Sequence, residues 1–312
     1  ERLCYTGSRA MGALEFKPAV IEHISQPVSV EISEMITLIQ EVMNHRNSLD
    51  VSLTQDEQQT QEALLDILRI GTSAGGARAK AVIAFNEKTS EVLSGQADAP
   101  EGFEHWLLKF DGVSDIEFGQ TSDFGRIEYA YYNMAIAAGI NMSESRLLEE
   151  NGRAHFMTRR FDRLADGGRV HMQTLCGIAG LDFNMPGAHS YAQYLGVIDE
   201  LGLGDAAREQ AFRRIVFNIA ALNRDDHTKN LAFLLPQHGD WRLAPAYDIT
   251  HAHNPSGRWT DRHQMSLEGK RENIGVDDLH RFADKFRVGG YRQIVAEVLE
   301  AVDQWPDHAA EA

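Results

Sequence analysis

The sequence predicts an α+β fold with two lobes, a mixed N-terminal lobe over residues 1–163 and a mainly helical C-terminal lobe over residues 164–312. Before residue 163, short apolar runs typical of strands alternate with helical patterns. After it, helical periodicity dominates and is interrupted by one short β segment. A chain of 312 residues with 43% hydrophobic content is long enough to bury a core in each lobe.

The elements of the N-terminal lobe follow from hydrophobic periodicity. Residues 28–47 and 54–69 have apolar side chains at three- and four-residue spacing, so both are predicted to be amphipathic helices. Residues 70–78 form a small, glycine-rich segment. The other predicted elements are strands at residues 80–85, 105–110 and 154–159, a hairpin connection at residues 86–101, and a helix at residues 125–138.

Composition and charge argue against several classes of protein. A net charge of −16 disfavours stand-alone binding to nucleic acid, which relies on Lys and Arg. The two cysteines, Cys4 and Cys176, are far apart, so neither a disulfide framework nor a cysteine zinc site is expected. No apolar run reaches the roughly 18 residues of a membrane span. We expect a cytoplasmic protein without membrane attachment, and, because it begins with Glu1, a piece of a longer reading frame.

The most informative segment is residues 223–230, with the sequence NRDDHTKN. Here Arg224-Asp225 is followed by Asn230, five residues after the aspartate. The catalytic loops of protein kinases have this spacing, H-R-D-x-x-x-x-N, for a base aspartate and a metal-binding asparagine. The spacing alone is weak support, since a polar loop of Asp, Asn and Lys also occurs as a solvated turn.

A predicted β hairpin strengthens the interpretation of this loop. Residues 231–235 and 241–243 have strand character, and the hairpin brings its outer ends together. Asn230 and Asp248 are therefore expected to be neighbours that supply an amide oxygen and a carboxylate to Mg²⁺. Asp225 would lie nearby and accept a proton from an attacking hydroxyl.

The N-terminal lobe offers residues for a phosphoryl donor. Gly75 and Gly76 lack a Cβ, so their backbone N–H groups can approach phosphate oxygens closely. Lys109, at the end of a predicted strand, is the candidate for reaching the ATP phosphates, as the strand lysine of a kinase does, and Lys80 competes with it. Glu128, on the next predicted helix, is a candidate partner for Lys109, although most helix glutamates are solvated.

The chain resembles the HipA family of bacterial serine/threonine kinase toxins over nearly its whole length. The segments that support the resemblance are residues 71–80 (GTSAGGARAK), 160–163 (RFDR), 223–230 (NRDDHTKN) and 243–249 (LAPAYDI). Together they are more specific than any one of them. The resemblance implies a two-lobed fold related to both protein kinases and phosphoinositide kinases.

The resemblance also implies roles for individual residues. Asp225 would be the catalytic base, and Asn230 and Asp248 would bind Mg²⁺. ATP contacts would come from Lys109, from the glycines at positions 75 and 76, from His227 and from the segment between Arg159 and Phe161, where Arg159 contributes its backbone. Ser73 matches an autophosphorylated serine whose modification inactivates the enzyme, which is reasonable because a phosphate there would compete with those of ATP.

The partners implied by the resemblance are proteins. They are a HipB-like helix-turn-helix antitoxin, which binds operator DNA, and a substrate such as glutamyl-tRNA synthetase, whose phosphorylation halts translation. The acidic composition fits a protein that meets DNA only through its partner.

Two alternatives stay open from the sequence. A metal-dependent hydrolase could use a cluster of acidic and histidine residues, namely Asp225, Asp226, His227, His251 and His253. A kinase-shaped protein without catalysis could act only as a partner in a repressor complex. The hydrolase leaves the glycine-rich segment unexplained, and the presence of Asp225, Asn230 and Asp248 argues against the silent partner.

Overall fold

The structure of the protein is a computed structural model that describes residue 7 and residues 10–19, 29–44, 78–95, 98–113 and 123–312. The chain divides into two compact units. The first comprises Glu1–Arg126 and Glu144–Arg169, and the second comprises Ile127–Ser143 and Val170–Ala312.

The first unit is built on a five-stranded antiparallel sheet. Its elements are α1 (Ile32–Asn44), β1 (Lys80–Asn86), β2 (Glu91–Ser94), β3 (Glu104–Lys109), β4 (Ser145–Glu150) and β5 (Arg153–Arg159). The strand order is β2-β1-β3-β5-β4. Helix α1 precedes the sheet and buries Met35, Ile36 and Ile39 in the core that also contains Ile83 and Trp106.

The second unit is mainly helical. Its helices are α2 (Phe124–Ala137, from Ile127 onward), α3 (Leu175–Ile178), α4 (Tyr191–Glu200), α5 (Gly204–Ala220), α6 (Val276–Lys285), α7 (Tyr291–Asp303) and α8 (Trp305–Glu311). Strands β6 (His171–Thr174), β8 (Ala232–Leu235) and β9 (Arg242–Leu243) form a sheet in the order β6-β8-β9, and β7 (His189–Ser190) pairs with β10 (Met265–Ser266). No helix among the described residues is long and apolar enough to cross a membrane.

Most predicted elements are confirmed. The predicted α+β class is present, with a mixed first unit and a mainly helical second one. The strands expected at residues 80–85, 105–110 and 154–159 correspond to β1, β3 and β5, and the helix expected at residues 28–47 is α1. The helix expected at residues 54–69 lies outside the described residues.

Two features of the first unit differ from expectation. Strand β2 lies within the polar stretch that was expected to be only a connection, and β4 was missed. Because β4 is an edge strand, most of its residues are only partly buried, and its sequence SRLLEE lacks the apolar alternation of a half-buried strand. The segment Ile127–Ser143 was expected in the first lobe but belongs to the second unit, because Tyr131, Met134 and Ala135 of α2 pack into its core.

A buried charge cluster holds the end of β5 to the N-terminal segment of the first unit. Asp162 is 3% exposed and accepts hydrogen bonds from the Arg160 and Arg163 guanidinium groups. The Gly12 N–H also donates to this carboxylate, and Arg163 donates to the carbonyl oxygen of Ala10. A buried carboxylate is tolerated only when it is paired, so this cluster stabilises one arrangement of the chain.

We expect His105 to make the stability of the protein depend on pH. Burial, together with Arg160 and Arg163, lowers the pKa of His105 from 6.5 to about 4. Between these two pH values the unfolded chain binds the proton more readily than the folded one, so the free energy of unfolding falls as the pH is lowered from 6.5 to 4. His105→Gln should make this slope smaller, because about one proton fewer is taken up on unfolding.

Urea unfolding of both proteins at several pH values would measure the effect. The control is His238→Gln, which changes an exposed loop histidine. The same slope in wild type and His105→Gln would contradict the prediction.

Candidate active site

The segment predicted to be catalytic is a loop of the second unit between α5 and β8. Its start is fixed by backbone contacts. The Asn223 N–H donates to the Asn218 carbonyl oxygen at 3.0 Å, and the Arg224 N–H donates to that of Ala252 at 3.1 Å. The Arg224 guanidinium also donates to the Asp261 carbonyl oxygen. The side chain of Arg224 therefore ties the loop to the segment around Asp261.

Side chains of this loop alternate between buried and accessible positions. Asp226 and Thr228 are 3% and 1% exposed, whereas Asp225, His227 and Lys229 are partly exposed. Thr228 and Lys229 lie in a turn that the Asn230 N–H closes by donating to the His227 carbonyl oxygen at 2.9 Å. The side chains of Asp226 and Thr228 are thus committed to the interior, whereas a carboxylate, an imidazole and an ammonium group stay accessible to solvent.

Asp226 anchors the loop. The hydroxyl of Tyr191 in α4 donates to one carboxylate oxygen at 2.5 Å, and His263 Nδ1 lies 2.9 Å from the same oxygen. The Gln264 N–H donates to the other oxygen at 2.6 Å. Burial raises the pKa of Tyr191, and the Asp226 charge raises it further, so this hydroxyl stays protonated and able to donate. Asp226 is therefore structural and is turned away from the accessible side.

Asp225 lies on the accessible side. Its side chain is 41% exposed, and its Oδ1 lies 3.8 Å from His227 Nε2. A carboxylate that solvent reaches and that a rigid loop holds in place is suited to accept a proton from an incoming hydroxyl.

Asn230 and Asp248 come to one pocket, as the hairpin prediction required. Phe233 of β8 pairs with Leu243 of β9, and the chain then reaches Asp248. The side-chain amide of Asn230 donates to the Asp225 carbonyl oxygen at 2.8 Å, so the amide oxygen is the atom left for a ligand. The pocket is lined by Arg214, Asn218, Asn223, Asp226, Asn230, Leu231, Ala246, Tyr247, Asp248 and Ile249.

The backbone around Asp248 is held in an unusual conformation. Asp248 has a φ of 55°, in the left-handed region that few residues other than glycine adopt. Just before it, the Tyr247 hydroxyl donates to the Lys229 carbonyl oxygen at 2.5 Å, which ties this segment to the loop. Residues in such conformations persist only when their surroundings enforce them, and they cluster at functional sites.

The donors in the pocket fit Mg²⁺. The ion prefers oxygen ligands and usually keeps several waters, so two protein ligands are sufficient. Asn230 offers an amide oxygen and Asp248 a carboxylate. The buried Oδ1 of Asn223, which lines the same pocket, has no hydrogen-bond partner, so the pocket has a further oxygen that a bound water can satisfy. The roles of Asn230 and Asp248 as metal ligands stay predictions.

In the first unit, the two candidate ATP lysines face each other. Lys80 of β1 is the cross-strand partner of Lys109 of β3, so both side chains lie on the same side of the sheet. They are 4% and 7% exposed, and Lys109 Nζ lies 5.7 Å from the centre of the Phe156 ring. Both lysines are therefore more than surface charges. Glu128 is fully buried in the second unit and is not a solvated helix residue, and its pairing with Lys109 stays a prediction.

The other predicted ATP contacts differ in how far the structure describes them. Arg159 ends β5, where its side chain binds Glu104 and Glu144 and its N–H donates to the Glu144 carbonyl oxygen. Phe161 is partly buried in the turn that follows. The glycines at positions 75 and 76 and the serine at position 73 lie outside the described residues.

Comparison with known proteins identifies the family. The HipA-like C-terminal domain family matches residues 72–306. The chain belongs to this family. Among solved structures, the complex of HipA, HipB and its operator DNA from the toxin–antitoxin system of Shewanella oneidensis MR-1 is similar, with a TM-score of 0.70 and 16% identity over 99% of this chain and 70% of that one. The predicted family and the predicted two-lobed, kinase-like fold are thereby confirmed.

A second solved structure is less similar. The Helicobacter pylori proinflammatory kinase CtkA has a TM-score of 0.41 and 12% identity, over 67% of this chain and 90% of that one. Among curated protein sequences, none matches this chain.

For this HipA-family chain, the hydrolase alternative loses its structural basis. Among the described residues, no group of three or more His, Cys, Asp or Glu side chains is placed to hold a metal ion. Asp226 is committed to its own interior contacts, and the His251 ring packs edge-on against Tyr131. The residues that the hydrolase would require therefore do not converge.

Sequence reasoning missed the structural role of Asp226 and the residues that pack against the loop. The ring of Phe183 contacts the His227 ring with centres 5.7 Å apart, and Lys229 Nζ lies 3.3 Å from the centre of the Phe183 ring. The loop sequence DDHTK contains one signal for a buried position, because the small residue Thr228 stands between the larger polar residues His227 and Lys229. Nothing in the sequence pointed to Phe183.

We expect replacement of the two adjacent aspartates of this HipA-family loop to change the free energy of unfolding by different amounts. Asp226→Asn introduces amide hydrogens where Tyr191, His263 and the Gln264 N–H all require an acceptor, so it should lower the free energy of unfolding by about 2–3 kcal/mol. Asp225→Asn, at a partly exposed position, should change it by less than about 0.5 kcal/mol.

Chemical denaturation of the two variants beside the wild type would measure both values. Equal stability of the two variants would contradict the assignment of Asp226 as the anchor.

Proposed function

We propose that the protein is an ATP- and Mg²⁺-dependent serine/threonine protein kinase. The observation that supports this most directly is the arrangement around residues 225–230. One loop holds an accessible carboxylate, Asp225, next to Asn230, whose amide nitrogen is bound to the backbone and whose oxygen is left for a ligand. Asp248 lines the same pocket as Asn230. Phosphoryl transfer requires a base and oxygen ligands for the metal at this spacing.

In the proposed reaction, ATP supplies the γ-phosphoryl group, and Mg²⁺ neutralises charge on the phosphates. Asp225 orients the acceptor hydroxyl and takes its proton as the oxygen forms a bond to phosphorus. The bond between that phosphorus and the bridging oxygen breaks, and ADP leaves. Asn230 and Asp248 hold the metal. The cluster around Asp226 keeps the loop rigid, so little reorganisation is required at the moment of transfer.

ATP would be bound largely by residues of the first unit. Lys109 is assigned to the phosphates, together with backbone N–H groups at positions 75 and 76. The backbone of Arg159 and the side chain of Phe161 are assigned to the adenine, and His227 of the catalytic loop to the phosphate side. These assignments extend the family resemblance to the positions that match it.

The partner is proposed to be a HipB-like helix-turn-helix antitoxin. The support is the similar HipA chain, which was solved in a complex with HipB and operator DNA. A chain with a net charge of −16 is a poor ligand for DNA by itself, so it would meet operator DNA only through the antitoxin. The proposed acceptor is a protein hydroxyl, with glutamyl-tRNA synthetase as the candidate that the family resemblance supplies.

Autophosphorylation of Ser73 is proposed as the inactivating step. A phosphate of about −2 charge beside the glycines at positions 75 and 76 would occupy the place meant for ATP phosphates. The modified protein would then bind ATP more weakly.

Intact mass spectrometry after incubation with ATP and Mg²⁺ tests the proposed function. We expect the wild-type protein to gain one phosphate, which maps to Ser73, and Ser73→Ala to lose this gain while still modifying an added acceptor. Asp225→Asn should transfer phosphate at least about 100-fold more slowly, because it lacks the base. Its affinity for ADP with Mg²⁺, measured by calorimetry, should change little, since the base acts in chemistry more than in ground-state binding.

Two outcomes would argue against a kinase. Wild-type protein that starts unphosphorylated, binds ADP and gains no phosphate with any acceptor would favour the silent partner in a repressor complex. Unchanged turnover in Asp225→Asn would show that another group is the base.

A further inference from the structure

The catalytic loop contains a partly exposed positive charge that the proposed chemistry does not use. Lys229 Nζ lies 3.3 Å from the centre of the Phe183 ring, which is the geometry of a cation–π contact. Lys229 forms no salt bridge with any carboxylate among the described residues. An aromatic ring fixes the position of an ammonium group without cancelling its charge, so this charge stays available to an external anion.

The segment around Phe183 is firmly held to the loop. The Thr228 hydroxyl donates to the Leu181 carbonyl oxygen at 3.2 Å, and His189 Nε2 lies 2.7 Å from that of Asp182. The Asp182 Oδ1 accepts two hydrogen bonds from Asn184, at 2.9 Å each. These bonds lower the pKa of the Asp182 carboxyl, and the charges of His189 and Lys229 lower it further. The bonds hold this carboxylate on its own segment, and it forms no salt bridge with Lys229. Phe183 is placed between His227 and Lys229 and supports both.

The Lys229 ammonium lies outside the pocket that Asn230 and Asp248 line. Asn230, the next residue, lines the pocket together with Asp248, and neither Lys229 nor Phe183 lines that pocket. Lys229 is instead partly exposed on the same loop as Asp225. A partly exposed cation that lies outside the pocket of the proposed metal ligands is placed to meet the molecule that brings its hydroxyl to Asp225.

We propose that Lys229, held by Phe183, is an acceptor-specificity residue that binds a carboxylate of the acceptor protein close to the hydroxyl to be phosphorylated. This inference rests on the proposed kinase function and adds the chemical class of its acceptor, a serine or threonine flanked by an acidic residue. In a protein with a net charge of −16, an acidic segment is repelled by the net charge, so a cation fixed on the same loop as the base favours docking there.

Synthetic peptides with one serine and either glutamate or lysine flanks test the proposal. Wild type should favour the glutamate peptide in kcat/KM by about fivefold, the size expected for one partly exposed ion pair. Lys229→Met should remove the preference, and Lys229→Glu should reverse it. Phe183→Tyr should keep the preference because its ring still binds a cation, whereas Phe183→Leu should weaken it.

The chain offers a matched control. Lys285 Nζ lies 5.8 Å from the centre of the Phe286 ring on α6 and pairs with Glu268 at 3.5 Å. Lys285→Met removes a lysine packed on a phenylalanine outside the loop, so it should leave the peptide preference unchanged. Loss of the preference in this variant as well would show that general charge, and not Lys229, selects the acceptor, and would overturn the proposal.

Kinetic constants distinguish the acceptor from the nucleotide as the source of the anion. We expect Lys229→Met to raise KM for the glutamate peptide and to leave KM for ATP within about twofold. A rise confined to KM for ATP would assign Lys229 to a nucleotide phosphate and overturn the proposal. Peptide binding measured by fluorescence anisotropy without ATP gives a second readout, in which only the glutamate peptide should bind more weakly to Lys229→Met.

The outcomes separate this inference from the function on which it rests. Phosphate transfer to both peptides at equal rates would overturn the specificity and leave the kinase standing. Absence of transfer to either peptide, together with absence of autophosphorylation, would overturn both.

Discussion

The buried carboxylate of Asp226 is the constraint on which the geometry of the candidate site depends. A charge taken out of water is tolerated only if other groups replace the lost hydration. Here Tyr191, His263 and the Gln264 N–H do so, and they come from separate parts of the second unit. Because these partners hold Asp226 inward, its two neighbours in sequence are turned outward. The position of Asp225 is thus set by the burial of the residue beside it.

In the pocket with Asn230 and Asp248, contacts with the loop hold the two candidate metal ligands in place. The amide nitrogen of Asn230 is bound to the backbone of its own loop, and the Tyr247 hydroxyl ties the segment before Asp248 to the same loop. The first contact leaves the amide oxygen of Asn230 for a ligand, and the second fixes the chain at Asp248. Such preorganisation is what a site requires if the metal is to meet ligands already in place.

Sequence predicted what depends on local pairing and missed what depends on distant packing. The hairpin of β8 and β9 is a local structure, so the meeting of Asn230 and Asp248 followed from turn and strand signals. The partners of Asp226 lie 35 to 38 residues away in sequence, and no local pattern identifies them. The choice between Lys80 and Lys109 was undecidable for a related reason, since cross-strand pairing puts both on one side of the sheet. The assignment of α2 to the second unit required knowledge of which core its apolar face meets.

Several cations of the second unit are paired with carboxylates where they stand. Arg208 pairs with Asp199 and Asp205, and Lys270 pairs with Asp278 at 2.7 Å. Lys229 lies over an aromatic ring and forms no salt bridge among the described residues. A paired lysine contributes little to the field that an approaching molecule meets, whereas a lysine without a salt bridge contributes more. Retaining a cation at this point, in a chain with a net charge of −16, is the arrangement expected of a surface that recognises anions.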